Sequence, residues 1–190
     1  MNLSLIFLFS KGFVLDVTVG DDVPGGVKLK PKIVVILDRS GSMGQWCHRA
    51  ASMCIPDALQ AVGYANADRI VLITFDSTAE RVLVNGKDPS LEECRKLNIA
   101  SRGSTNMVQV IGLLQAELLS CDEPHHIIVL SDGGVGDQEA TSKLAAKVAS
   151  ELKIKSRVSC SLIRFMSSSN AEVRKKKSFS FFQFGIFFFC

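Results

Sequence analysis

Three short stretches gather oxygen-bearing side chains at places where chemistry is done. "DRSGSM" carries Asp38, Ser40 and Ser42, "GSTNM" carries Ser104 and Thr105, and "LSDGG" carries Asp132. No histidine or cysteine lies among them. Carboxylates with hydroxyls are hard ligands, suited to Mg²⁺, Mn²⁺ or Ca²⁺ rather than to zinc. In D-x-S-x-S the alternate positions can turn both hydroxyls toward one point, and Gly41 between them permits close approach. Serine adds no charge. A cation held this way stays electrophilic and can accept one more oxygen, including a carboxylate from another molecule. Each residue also has a plainer reading. Ser and Asp cap helices, Thr105 is a candidate N-cap for a helix over 106–119, and Asp132 before Gly133 and Gly134 suits a strand-end turn. Three such segments together favour the metal.

The elements that would position these residues alternate. Ile33–Leu37 is apolar without alternation, as in a strand covered on both faces. Trp46–Ala65 has a rough helical period, which Pro56 interrupts with a kink or a second start. Asp68–Asp76 reads as a buried strand and Ala79–Asn85 as its edge hairpin partner. Ser90 caps a short helix with Glu92 and Glu93 in its first turn. "SRGSTNM" is a polar loop, followed by a helix from Asn106. His126–Leu130 is a buried strand ending in Ser131 and Asp132, Gln138–Leu152 an alanine-rich helix, and Arg157–Phe165 a fifth strand. This alternation predicts an α/β fold: a doubly wound, mostly parallel, Rossmann-like sheet with helices on both faces. Its functional loops belong at the carboxyl ends of strands, at a switch point in strand order. Asp76, at another strand end, is a further candidate for the surroundings of the metal.

In order and type, "DRSGSM", "GSTNM" and "LSDGG" resemble the von Willebrand factor type A (vWA) domain and its metal-ion-dependent adhesion site (MIDAS). The matching positions are Asp38, Ser40, Ser42, Thr105 and Asp132, and the resemblance covers roughly residues 31–166. It implies that Ser40, Ser42 and Thr105 touch a Mg²⁺ or Mn²⁺ ion, with Asp38 and Asp132 acting mostly through water. A partner protein's Asp or Glu would complete the octahedron. The implied function is a metal-dependent, adhesion-type protein–protein interaction module and not an enzyme. Such domains continue with a sixth strand and a last helix; here that place holds "VRKKKSFSFFQFGIFFFC", with seven of the twelve phenylalanines. The last strand and helix are therefore expected to be missing or replaced. The chain divides into an N-terminal extension (1–30), a vWA-like domain (31–166) and a basic, Phe-rich tail (167–190).

Bulk properties narrow the alternatives. The 190 residues fit one domain, and 47% apolar content is enough for a core. A net charge of +3 with no strong cluster argues against nucleic acid as partner. The six cysteines contain no C-x-x-C pair, which argues against zinc and redox motifs. Cys47 and Cys54 read as core residues. The apolar run near the N-terminus lacks a preceding positive region and an A-x-A-like site, which points away from a signal peptide and toward the cytoplasm, with secretion the alternative. That run and the tail are both too short to span a bilayer. Arg174–Lys177 could bring the tail to a membrane surface. A Mg²⁺-dependent hydrolase using the same cation is the enzymatic alternative; Arg39 and Arg102 flank the site, but no general base is evident.

Overall fold

A strand apolar at every position from Ile33 to Leu37 must be covered on both faces, and β3 (Lys32–Asp38) is. In the computed structural model Ile33, Val35 and Leu37 pack with Cys47, Ala50, Ala51, Ile55 and Leu59 on one side. Val34 and Ile36 pack with Val110 and Leu114 on the other. The structure describes residues 3–9, 13–19, 30–120, 123–132, 138–152 and 158–164. The expected loss or replacement of the last strand and helix, and the tail, lie outside them.

The elements run β1 (Leu3–Phe9), β2 (Phe13–Val19), β3, α1 (Trp46–Arg49), α2 (Ile55–Ala61), β4 (Val71–Phe75), β5 (Ala79–Val82), α3 (Leu91–Cys94), α4 (Val108–Ser120), β6 (His125–Ser131), α5 (Gln138–Leu152) and β7 (Val158–Arg164). The main sheet has the order β5-β4-β3-β6-β7. β3 pairs in parallel with β4 and β6, and β6 with β7. The chain builds outward from β3 to β4 and β5, then crosses to β6 and β7, so the strand order reverses at β3. Loops leaving β3 and β6 diverge there, which is where such sheets place their sites. The doubly wound, mostly parallel sheet expected from the sequence is therefore what the chain forms.

β5 is antiparallel to β4 because only three residues separate them, too few for a crossover. Exposed Glu80 and Arg81 blunt this edge.

The helical stretch after β3 ends at Ala61 rather than Ala65. Gly63 takes φ 94°, and the Tyr64 N–H returns to the Leu59 carbonyl at 2.9 Å, closing the helix as glycine allows. Between α1 and α2 the turn Ala50–Cys54 widens to π geometry, just ahead of Pro56 in the first turn of α2. Proline lacks an N–H and repels the carbonyl four residues earlier, here that of Ser52. Ser90 caps α3 reciprocally with Glu93. The N-terminal extension contains an antiparallel hairpin, β1 with β2, which the sequence reading did not assign. β2 passes close to β7, although the two belong to separate sheets.

At the amino end of the parallel strands, α4 brings in a buried acid. Glu117 meets Lys32 at 2.5 Å and Arg81 at 2.8 Å, with His125 Nε2 at 3.9 Å. No helix among the described residues is long and apolar enough to cross a membrane.

Candidate metal centre

β3 runs to Asp38, whose neighbours in the sheet hold it fully buried. Its Oδ1 accepts the Ser40 N–H at 2.8 Å, and its Oδ2 accepts the Ser131 hydroxyl at 2.7 Å. The first bond folds the chain back into the turn that carries the serines. The second ties the end of β3 to the end of β6. Ser131 is thus a site residue that the sequence reading passed over, although it stands beside Asp132 at the same strand end.

The Ser40 and Ser42 hydroxyls lie 3.1 Å apart. In an octahedron with metal–oxygen bonds of 2.0–2.1 Å, adjacent oxygens stand about 2.9 Å apart, so the two hydroxyls already have the spacing of neighbouring ligands. Ser40 is buried and Ser42 exposed, which places the pair at the mouth of the site.

The loop bearing Thr105 is fastened to the Asp38–Ser42 loop. Arg102 N–H donates to the Arg39 carbonyl at 2.6 Å, and Gly41 N–H to the Gly103 carbonyl at 3.2 Å. Gly103 has φ 67°, and a Cβ there would lie 2.9 Å from Ser77 Oγ and 3.3 Å from Asp76 Cβ, so a side chain would press on the turn after β4. Thr105 is half-buried between this fastening and Asn106. Asn106 takes the capping role considered for Thr105: its Oδ1 accepts the Val108 N–H at 3.1 Å. Asp132 is half-buried, and its negative charge reaches Asp38. The structure thus brings Asp38, Ser40 and Ser42 into direct contact, sets Asp132 within electrostatic reach of Asp38, and holds the Thr105 loop against theirs.

The electrostatics separate two buried aspartates. Burial raises the Asp38 carboxyl above its ordinary range; the Ser131 and Ser40 bonds oppose this and the Asp132 charge adds to it. Asp38 has no basic partner among the described residues. The adjacent Arg39 instead gives Nε to Asp76 Oδ2 at 2.8 Å and Nη1 to Glu80. Burial also pushes the Asp76 carboxyl up, but the Thr78 N–H, Arg102 and Arg39 outweigh it and hold the group well below the carboxylate range. A buried carboxylate without a counter-charge is costly unless a proton or a cation joins it. The donor set around Asp38, anionic and hydroxyl oxygen only, fits a hard divalent ion.

The family model of the von Willebrand factor type A domain matches residues 33–135, just over half of the chain. The chain belongs to the vWA family. Its fold is similar to that of the manganese-loaded TRAP protein of Plasmodium vivax, with a TM-score of 0.52, 16% identity, and coverage of 74% of this chain and 60% of that one. It is also similar to a von Willebrand factor type A structure from Catenulispora acidiphila, with a TM-score of 0.50, 14% identity, and coverage of 78% and 34%. At these identities the likeness is one of fold, and this vWA chain spans 60% and 34% of those two chains. No curated protein matches the sequence.

Proposed function

We propose that this vWA domain is a protein-binding module whose grip depends on a divalent cation. Ser40, Ser42 and Thr105 would hold Mg²⁺ or Mn²⁺ directly, with Asp38 and Asp132 acting through water. The ion supplies a Lewis-acidic position for the Asp or Glu of a partner protein. The observation that carries this reading is Asp38: a fully buried carboxylate that among the described residues receives serine hydroxyls and an N–H but no basic group, beside two hydroxyls at ligand spacing. That a neighbour of the same fold is manganese-loaded supports the choice of metal.

The non-enzymatic reading is supported by the arginines that would have to serve a hydrolase. Arg39 and Arg102 both give Nε to Asp76 Oδ2, so both guanidinium groups are already engaged with that acid.

Isothermal titration of the full chain with Mn²⁺ tests the proposal. One ion is expected to bind per chain. Ser40→Ala or Asp132→Ala should abolish uptake while the circular dichroism of the fold persists. An acidic peptide should be retained with Mn²⁺ and released by EDTA. A folded wild-type chain that takes up neither Mn²⁺ nor Mg²⁺ would refute it.

A further inference from the structure

Asp76 is saturated, and every bond it makes faces the two loops or its own turn. Oδ2 accepts Arg39 Nε and Arg102 Nε, each at 2.8 Å. Oδ1 accepts the Thr78 N–H at 2.9 Å, with the Thr78 and Ser77 hydroxyls at 3.3 Å. Its main-chain carbonyl accepts the Asn106 N–H at 2.7 Å. Arg39 lies between Asp38 and Ser40, and Arg102 and Asn106 bracket Thr105. One carboxylate therefore ties together the two loops that bear four of the five candidate ligands, without being placed to serve as a ligand itself.

The arrangement also leaves a loose end. Arg39 Nη2 is buried with no hydrogen-bond partner among the described residues. Buried donors are ordinarily satisfied, so the guanidinium is fixed by its bond to Asp76 at the expense of its own complete pairing.

We infer that Asp76 is the positioning residue of the metal centre, setting the separation of the serine loop and the threonine loop through Arg39 and Arg102. This rests on the metal-binding reading above. Cation affinity then depends on a side chain that the cation does not touch, as with residues that orient metal ligands elsewhere.

The test is Mn²⁺ affinity of the full chain, by titration and by the electron paramagnetic resonance of the bound ion. Asp76→Asn keeps the main-chain bond to Asn106 and the size of the side chain but loses the charge that holds two guanidinium groups. It should weaken Mn²⁺ binding by about tenfold or more and broaden the spectrum. Arg102 is 61% exposed, so Arg102→Gln should leave the melting temperature nearly unchanged and still weaken Mn²⁺ several-fold, on the order of half a decade. Arg102→Lys should recover most of that loss. The double variant should bind no more weakly than Asp76→Asn alone, because both changes break one clamp. Should Asp76→Asn not fold, Arg102→Gln decides. Folded variants that bind Mn²⁺ as the wild type does would overturn the positioning role and leave the metal reading standing. A wild type that takes up no Mn²⁺ would overturn both.

Discussion

The two ends of the sheet bury carboxylates on opposite terms. At the amino end of the strands Glu117 is met by Lys32 and Arg81. At the carboxyl end Asp38 is met by a hydroxyl and an N–H. Both acids are almost wholly out of solvent, so the difference lies in the partners alone. One end contains its own counter-charge and is closed. Around Asp38, at the other end, the described residues gather oxygens without a positive partner for that carboxylate, the setting a hard cation suits. Asp76 lies at the same end as Asp38 yet follows the rule of Glu117, with two arginines. The contrast is therefore set residue by residue and not by depth in the fold.

The largest test of this contrast is Glu117→Gln. It takes the buried acid away from Lys32 and from Arg81, which keeps Asp88, and should cost about 3 kcal/mol in urea denaturation, with Mn²⁺ affinity unchanged. A parallel loss of Mn²⁺ binding would break the separation of the two ends.

Asp38→Asn should act with the opposite sign in the absence of metal. It removes an unpaired buried charge, so the EDTA-treated variant should be as stable as the wild type or more stable, by on the order of 1 kcal/mol. The stabilisation that saturating Mn²⁺ gives the wild type, about 2.7 kcal/mol at a hundred times Kd, should vanish. A large loss of metal-free stability would mean that Asp38 is an ordinary structural acid.

Acid separates Asp76 from Asp38. The folded Asp76 pKa is depressed below the ordinary 3.8, so its contribution is complete above that value and is lost as pH falls through the folded value. Denaturation between pH 5 and pH 2 should show wild-type stability falling more steeply than that of Asp76→Asn, by roughly 2 kcal/mol across the window. Asp38, raised by burial, contributes with the reverse slope. The smallest effect belongs to a residue that touches none of these acids: Ser90→Ala removes the cap of α3 and should cost about 1 kcal/mol, leaving metal uptake untouched.

Much of this was legible in the sequence, for local reasons. The unbroken apolar runs of β3 and β6 declare strands covered on both faces, and D-x-S-x-S sits where the first of them stops. The Ser90–Glu93 box is written four residues long. What was not legible joins residues far apart in the chain. Arg39 reads as a free cation flanking the site, yet its partner Asp76 is 37 residues away, and nothing around either residue announces the other. Ser131 was visible as a strand-end serine, but its bond crosses 93 residues to Asp38. Glu117 could have been found, since it falls on the same helical face as Val110 and Leu114, where an acid needs a partner. The β1–β2 hairpin also left a signal: Phe13–Val19 alternates, and "SKG" is a glycine-containing three-residue interval. Its apolar start drew attention to export instead.

The widened turn before Pro56 does geometric work. Cys47, Ala51, Ile55 and Leu59 recur every fourth residue, and on a regular helix that stripe would swing about 40° per step away from the sheet. The looser turn at Ala50–Cys54 takes up the slack, as a shim does, and keeps all four aligned on the same face. Deleting a single residue there would restore an ordinary spiral with Cys47 and Ile55 seven residues and about 700° apart, so the stripe would still face the core and the widened turn alone would vanish.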